Sequence, residues 1–78
     1  MMPNDQRITE ALNEAGIDFD VEGFDSSKSF KENGIDSLDV MSLFLMLEEK
    51  FKTKFSESEA SGIRTPMDLT AALDKKLE

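Results

Sequence analysis

The chain has 78 residues, of which 38% are hydrophobic, with four Gly and two Pro. That length supports one domain spanning 1–78, and a composition rich in Leu, Glu, Lys, Met and Ala argues against disorder and for an all-α fold. Seventeen acidic residues against nine basic ones give a net charge of −8, which disfavours nucleic-acid binding and suits basic protein partners whose encounter is steered by charge.

The N-terminus lacks a long apolar run, so neither a signal peptide nor a membrane span is expected, and the default location is cytoplasmic. A first helix is predicted from Asn4 to Ala15, because Ile8, Ala11, Leu12 and Ala15 fall on one face at i, i+3, i+4 and i+7. Gly16 can take the left-handed conformation that ends it. From Gly16 to Asp36 the periodicity breaks down, leaving a long connection between the first and second helices. Ile17, Phe19, Val21, Phe24 and Phe30 are its candidate anchors on the core. A structureless loop of that length is uncommon in a compact domain and must be pinned or functional. Asp18, Asp20, Glu22 and Gly23 resemble the opening of a calcium-binding EF-hand loop. The twelfth position of such a loop would be Ser29, where a bidentate Glu is required. No metal is therefore expected.

The second helix is predicted from Ser37 to Phe51. Met41, Phe44, Leu45, Glu48 and Phe51 sit along neighbouring turns, and Leu43 and Leu47 widen the apolar side. Asp36 can act as its N-cap, with Asp39 three residues on as a variant of the capping box. Lys50 and Lys52 complement the dipole at its far end. A short third helix is expected over Glu57–Ser61, stopped by Gly62. Thr65-Pro66 then marks an N-cap followed by proline at the first helical position, and Leu69, Ala72, Leu73 and Leu77 supply the inward face of the last helix. The expected architecture is a small four-helix bundle of three longer helices and one short one.

The informative stretch is Gly34-Ile35-Asp36-Ser37-Leu38-Asp39, leading into the second helix. A serine there is reachable, and the unpaired N–H groups and dipole of the helix end favour a phosphate ester on it. On pattern alone, an ordinary helix cap is the better reading of Asp36 and Ser37, since capping is what such residues usually do. Direct catalysis by Ser37 is disfavoured, since the chain has no His to act as its base. The lack of both Cys and His also excludes disulfides, thiolate chemistry and the usual zinc ligands.

The stretch from Phe30 to Phe51, FKENGIDSLDVMSLFLMLEEKF, resembles the acyl carrier protein family. The family's attachment motif Asp-Ser-Leu is present as Asp36-Ser37-Leu38, and the likeness continues through Asp39, Leu43, Leu47, Glu48, Glu49 and Phe51. Phe55-Ser56-Glu57-Ser58-Glu59-Ala60 and Thr65-Pro66-Met67-Asp68-Leu69 resemble the family's third helix and the start of its fourth. The resemblance implies a non-catalytic carrier. A phosphopantetheinyl transferase would place 4'-phosphopantetheine from coenzyme A on Ser37, and the arm's thiol would hold acyl groups as thioesters. A chain without cysteine fits that role, because its reactive sulfur is imported.

The resemblance further implies that Asp36, Asp39, Glu48 and Glu49 meet Arg and Lys patches on acyl-transferring, synthase or ligase enzymes, with Leu38 and Leu45 as exposed apolar contacts. Phe44, Leu47, Phe51, Phe55, Ile63 and Leu69 are candidates for lining an acyl pocket, and equally for plain core. A monomer is expected, serving fatty-acid, polyketide or specialised lipid synthesis. Asn33 stands where the family usually has leucine, in a loop one residue shorter. Ser42 replaces a commonly acidic position, and Lys50, Lys52 and Lys54 make the helix end more basic. These departures bear on partner choice more than on modification. Two other readings remain open: an aminoacyl or peptidyl carrier, whose usual Gly-Gly-His/Asp-Ser pattern fits less well, and an unmodified helical interaction module.

Overall fold

A computed structural model describes residues 5–78. Four helices make up its regular structure: α1 (Gln6–Glu14), α2 (Ser37–Phe51), α3 (Glu57–Ser61) and α4 (Pro66–Lys76). There is no strand among the described residues, so the expected all-α four-helix bundle is the observed one. Its extents are 29 × 27 × 20 Å.

Each helix begins where a side chain can receive the free N–H groups of its first turn. Asp5 caps α1 by accepting from the Arg7 N–H. The expected start at Asn4 lies outside the described residues. Ser56 and Thr65 cap α3 and α4 within reciprocal capping boxes closed by Glu59 and Asp68. At the other end of α1, Gly16 adopts φ +74°, and the Ile17 N–H reaches back to the Leu12 carbonyl at 3.0 Å. This is the Schellman arrangement, and it delivers the Ile17 side chain into the core.

That core is built from Ile8, Ala11 and Leu12 of α1, Leu43 and Leu47 of α2, and Leu69 and Leu73 of α4. Ile17, Phe24, Phe30 and Ile35 join it from the long connection. No polar side chain is buried among the described residues. The connection is thus pinned as its length requires, but not by every expected anchor: Val21 is 67% exposed, held off the core in a turn over residues 21–23.

Two expected faces also differ. In α2, Met41 points to solvent beside Leu45, which is exposed as expected of a contact residue, and the inward strip is Leu43 and Leu47 with Val40, Phe44, Met46 and Phe51 packed beside it. The helix is apolar on most of its circumference, so period alone does not choose a face. Leu77 is also exposed, because α4 ends at Lys76 and Leu77 is its cap.

Ion pairs tie the helices at the surface. Arg7 bridges Asp5 at 2.7 Å and Asp74 at 2.6 Å, joining α1 to α4, while Lys50 reaches Glu14 at 2.7 Å, joining α2 to α1. Burial pushes the Asp5 carboxyl up, but its bonds to the Arg7 side chain, the Arg7 backbone and Thr70 outweigh that and hold it below its usual range. Exposed pairs of this kind each contribute only about 0–1 kcal/mol.

Candidate functional site

The start of α2 is set by the turn before it. Ser29 and Glu32 exchange bonds, the Ser29 N–H to Glu32 Oε1 and the Glu32 N–H to Ser29 Oγ, both at 3.0 Å. One helical turn follows and is closed by Gly34 at φ +81°. The Gly34 N–H bonds the Lys31 carbonyl and the Ile35 N–H bonds the Phe30 carbonyl, each at 2.9 Å. This second Schellman closure buries Ile35 and leaves the next residues, Asp36, Ser37 and Leu38, outside.

Asn33 holds the turn against the rest of the loop. Its Oδ1 accepts from the Asp25 N–H at 2.8 Å, and its Nδ2 donates to the carbonyls of Asp25 and Ser29, both at 2.9 Å. The position that departs from the family's leucine is a polar knot whose partners lie within the loop. The loop is stitched in turn to the opposite side of the bundle. The Phe30 N–H donates to the Arg64 carbonyl at 3.2 Å, and the Met67 N–H donates to the Ser26 carbonyl at 3.0 Å.

Asp36 caps α2 as expected, its Oδ1 accepting from the Asp39 N–H at 2.9 Å. The reciprocal bond that would complete a capping box does not form, in contrast to α3 and α4. Asp39 therefore contributes its N–H to the cap, while its carboxylate is not spent there. Ser37 is the first helical residue and is exposed, and Leu38 beside it is 74% exposed.

Ser37 lies on the rim of an open groove of about 620 Å³. The groove is walled by Ser29, Phe30 and Lys31 on the loop side, and by Ile63 and Arg64 in the α3–α4 connection. Ile35, Asp36 and Val40 complete it. The Phe30–Arg64 backbone bond sets the spacing of those two walls. Of the six residues expected at an acyl pocket, Ile63 lines this groove. Phe44, Phe51 and Phe55 are half-buried against the core, with the Phe44 and Phe55 rings 5.5 Å apart, and Leu47 and Leu69 are fully buried.

Among the residues expected to meet partners, Asp36, Leu38, Leu45 and Glu49 are exposed and Asp39 is half-buried. Glu48 is half-buried and already engaged, its Oε2 accepting from the Phe55 N–H at 2.7 Å. It acts as a clasp for the α2–α3 connection. Met41, missed on the sequence, is exposed between Leu38 and Leu45 and extends their apolar strip. The signal was present in the i, i+3, i+7 spacing of the three. Among the described residues, no group of three acidic side chains converges to hold a metal ion, so Asp18, Asp20 and Glu22 form no such centre. No helix among them is long and apolar enough to cross a membrane.

A helical bundle that presents a serine at a helix start, beside an open apolar groove, is suited to carrying a group there. The comparisons with known proteins agree. Residues 6–73 match the family model described as the phosphopantetheine attachment site. An acyl carrier protein of an Exiguobacterium species is 37% identical over 59 residues, covering 74% of this chain and 75% of the relative. That of Campylobacter concisus is 39% identical over 49 residues, covering 63% and 64%, and that of Campylobacter fetus 40% over 48, covering 62% of each. The matches to the two Campylobacter proteins thus span just under two thirds of those relatives.

The chain belongs to the acyl carrier protein family of phosphopantetheine-binding carriers. It is a non-catalytic carrier whose covalent cofactor is 4'-phosphopantetheine, and it interacts with a phosphopantetheinyl transferase and with acyl-handling enzymes. The residues fit that group. The N–H groups of Ser37 and Leu38 lie within the first turn of α2, where helix donors have no intrahelical acceptor. An anion at that end is also favoured by the dipole. The groove leaves room for the arm beside its point of attachment.

Proposed function

We propose that Ser37 is the residue that receives the arm. The chain, as a single carrier domain, then carries acyl intermediates as thioesters for fatty-acid, polyketide or specialised lipid synthesis. The observation that carries this reading is the exposure of Ser37 at the first position of α2, with Asp36 capping the helix beside it. When bound, the cofactor supplies a terminal thiol to a chain that has none. The protein's own part is to cap α2, keep the hydroxyl outward and hold the groove open next to it.

The partner face is the exposed side of α2: Asp36, Asp39 and Glu49 as anionic contacts for basic patches, and Leu38, Met41 and Leu45 as the apolar strip between them. Surface pairs worth about 0–1 kcal/mol each give transient binding, as a protein that visits several enzymes requires. Ile63 lines the groove and, like Phe44, Phe51 and Phe55, packs against the core, so an acyl chain entering past Ile63 would reach Leu47 and Leu69 only by parting packed core. A cytoplasmic monomer is the state in which this face stays open to enzymes.

Because the chain contains no cysteine, thiol titration with a chromogenic reagent tests the reading directly. Treatment with coenzyme A and a transferase, followed by removal of free coenzyme A, should take the protein from zero titratable thiols to one per chain. Ser37→Ala should stay at zero. A wild-type protein that gains no thiol refutes the assignment.

A further inference from the structure

The groove beside Ser37 is more basic than the molecule around it. The chain carries a net charge of −8, and Asp36 and Asp39 flank the serine. A phosphodiester on Ser37 would be repelled by both. Yet two of the nine groove-lining residues are cations, Lys31 on the loop wall and Arg64 on the opposite wall. Both residues are exposed, and among the described residues neither side chain makes an ion pair. The other arginine, Arg7, is committed to Asp5 and Asp74, and Lys50 and Lys76 are committed to Glu14 and Glu59.

Their placement is fixed by backbone. Lys31 follows Phe30, whose N–H bonds the carbonyl of Arg64 itself, so the two cations spring from neighbouring points where the walls meet. Lys31 is held further by the Gly34 N–H bonded to its carbonyl, and Arg64 by its own N–H donating to Asp68 Oδ2 at 3.1 Å. Between them and α2 the lining is Phe30, Ile35, Val40 and Ile63, which is apolar. A guanidinium presents a fork of donors suited to phosphate oxygens, and an ammonium adds a point charge.

We propose that Lys31 and Arg64 form a cationic clasp for the phosphodiester at the root of the arm, turning the arm's first segment onto the apolar floor of the groove. The clasp offsets the repulsion of Asp36 and Asp39 at the one place where a permanent anion is attached. It rests on the reading that Ser37 carries the arm. An exposed clasp is weakened by salt, so the arm is released more readily as ionic strength rises.

The chain has only two arginines, Arg7 and Arg64, so the Nε–H region of its NMR spectrum holds two side-chain signals. Wild-type protein is compared before and after loading, with the loaded state verified by intact mass. The Arg64 Nε–H signal should shift on loading and its exchange with water should slow about tenfold, the factor that corresponds to about 1.4 kcal/mol. The Arg7 signal should not move. Raising the salt concentration should reverse the change at Arg64. In loaded Arg64→Gln/Lys31→Gln the phosphorus line should narrow, whereas Lys54→Gln leaves it as in wild type and Arg64→Lys restores it in part.

Loaded wild-type protein whose Arg64 signal is unmoved overturns the clasp and leaves the carrier reading standing. A wild-type chain that gains no mass overturns the carrier reading, and the clasp with it. Should the double variant load poorly, the wild-type comparison decides alone.

Discussion

Residues 24–35 contain no regular helix and are held in the core, whereas α3 is a regular helix that buries no residue. The first segment is fixed by three buried side chains, Phe24, Phe30 and Ile35, and by the polar knot at Asn33. The second is held at its ends. Ser56 and Glu59 close its capping box, and Lys76 of α4 pairs with Glu59 at 2.9 Å while lying 5.5 Å from the centre of the Phe55 ring. Secondary structure and anchoring are therefore separate properties here. The groove beside Ser37 has one wall fixed by burial and another that follows directly on the helix with the fewest anchors.

The contrast is broken most severely by Phe30→Ala. Loss of a buried phenylalanine costs about 3–5 kcal/mol, a large share of the stability that a domain of this size has. Chemical denaturation should show that loss, and α3 amides should report it only through global unfolding. Asn33→Ala comes next. It leaves the part-buried N–H of Asp25 without its acceptor and takes one donor each from the Asp25 and Ser29 carbonyls, at a cost of about 1–3 kcal/mol. Hydrogen exchange should rise across 25–34 while α3 stays as it is.

The smallest effect is at α3 and depends on pH. The backbone bond from Ser56 and then the Lys76 side chain hold the Glu59 carboxyl down at about 2, against 4.5 for an unperturbed glutamate. A carboxyl lowered by folding stabilises the fold above its unfolded value and loses that contribution as pH falls. Acid should therefore weaken α3 between about pH 4.5 and 2. Glu59→Gln keeps a capping-box residue but removes the charge. Amide exchange in 57–61 should be faster in the variant than in wild type at neutral pH, and the two should converge toward pH 2. Equal exchange throughout would show that Lys76 does not hold α3.

What the sequence made legible follows the same division. The starts of α2 and α4 were readable because Asp36 and Thr65-Pro66 act on their own neighbours. The cohesion of the long loop was not. Asn33 reads as a turn residue, and only the fold shows that Asp25 and Ser29 surround it. The inward face of α2 was misjudged at Met41, since a helix apolar on most sides takes its orientation from what it packs against, not from its own period. Ser37 could be singled out because its signal is local. The groove could not, because it exists only where Phe30 meets Arg64 across the bundle.

The most direct measurement is the mass of the intact chain after exposure to coenzyme A and a transferase, followed by fragmentation of the peptide containing Asp36-Ser37-Leu38. The account predicts a gain of one phosphopantetheinyl group, mapped to Ser37 and absent from Ser37→Ala. A group found on another residue, or an equal gain in the alanine variant, would contradict it.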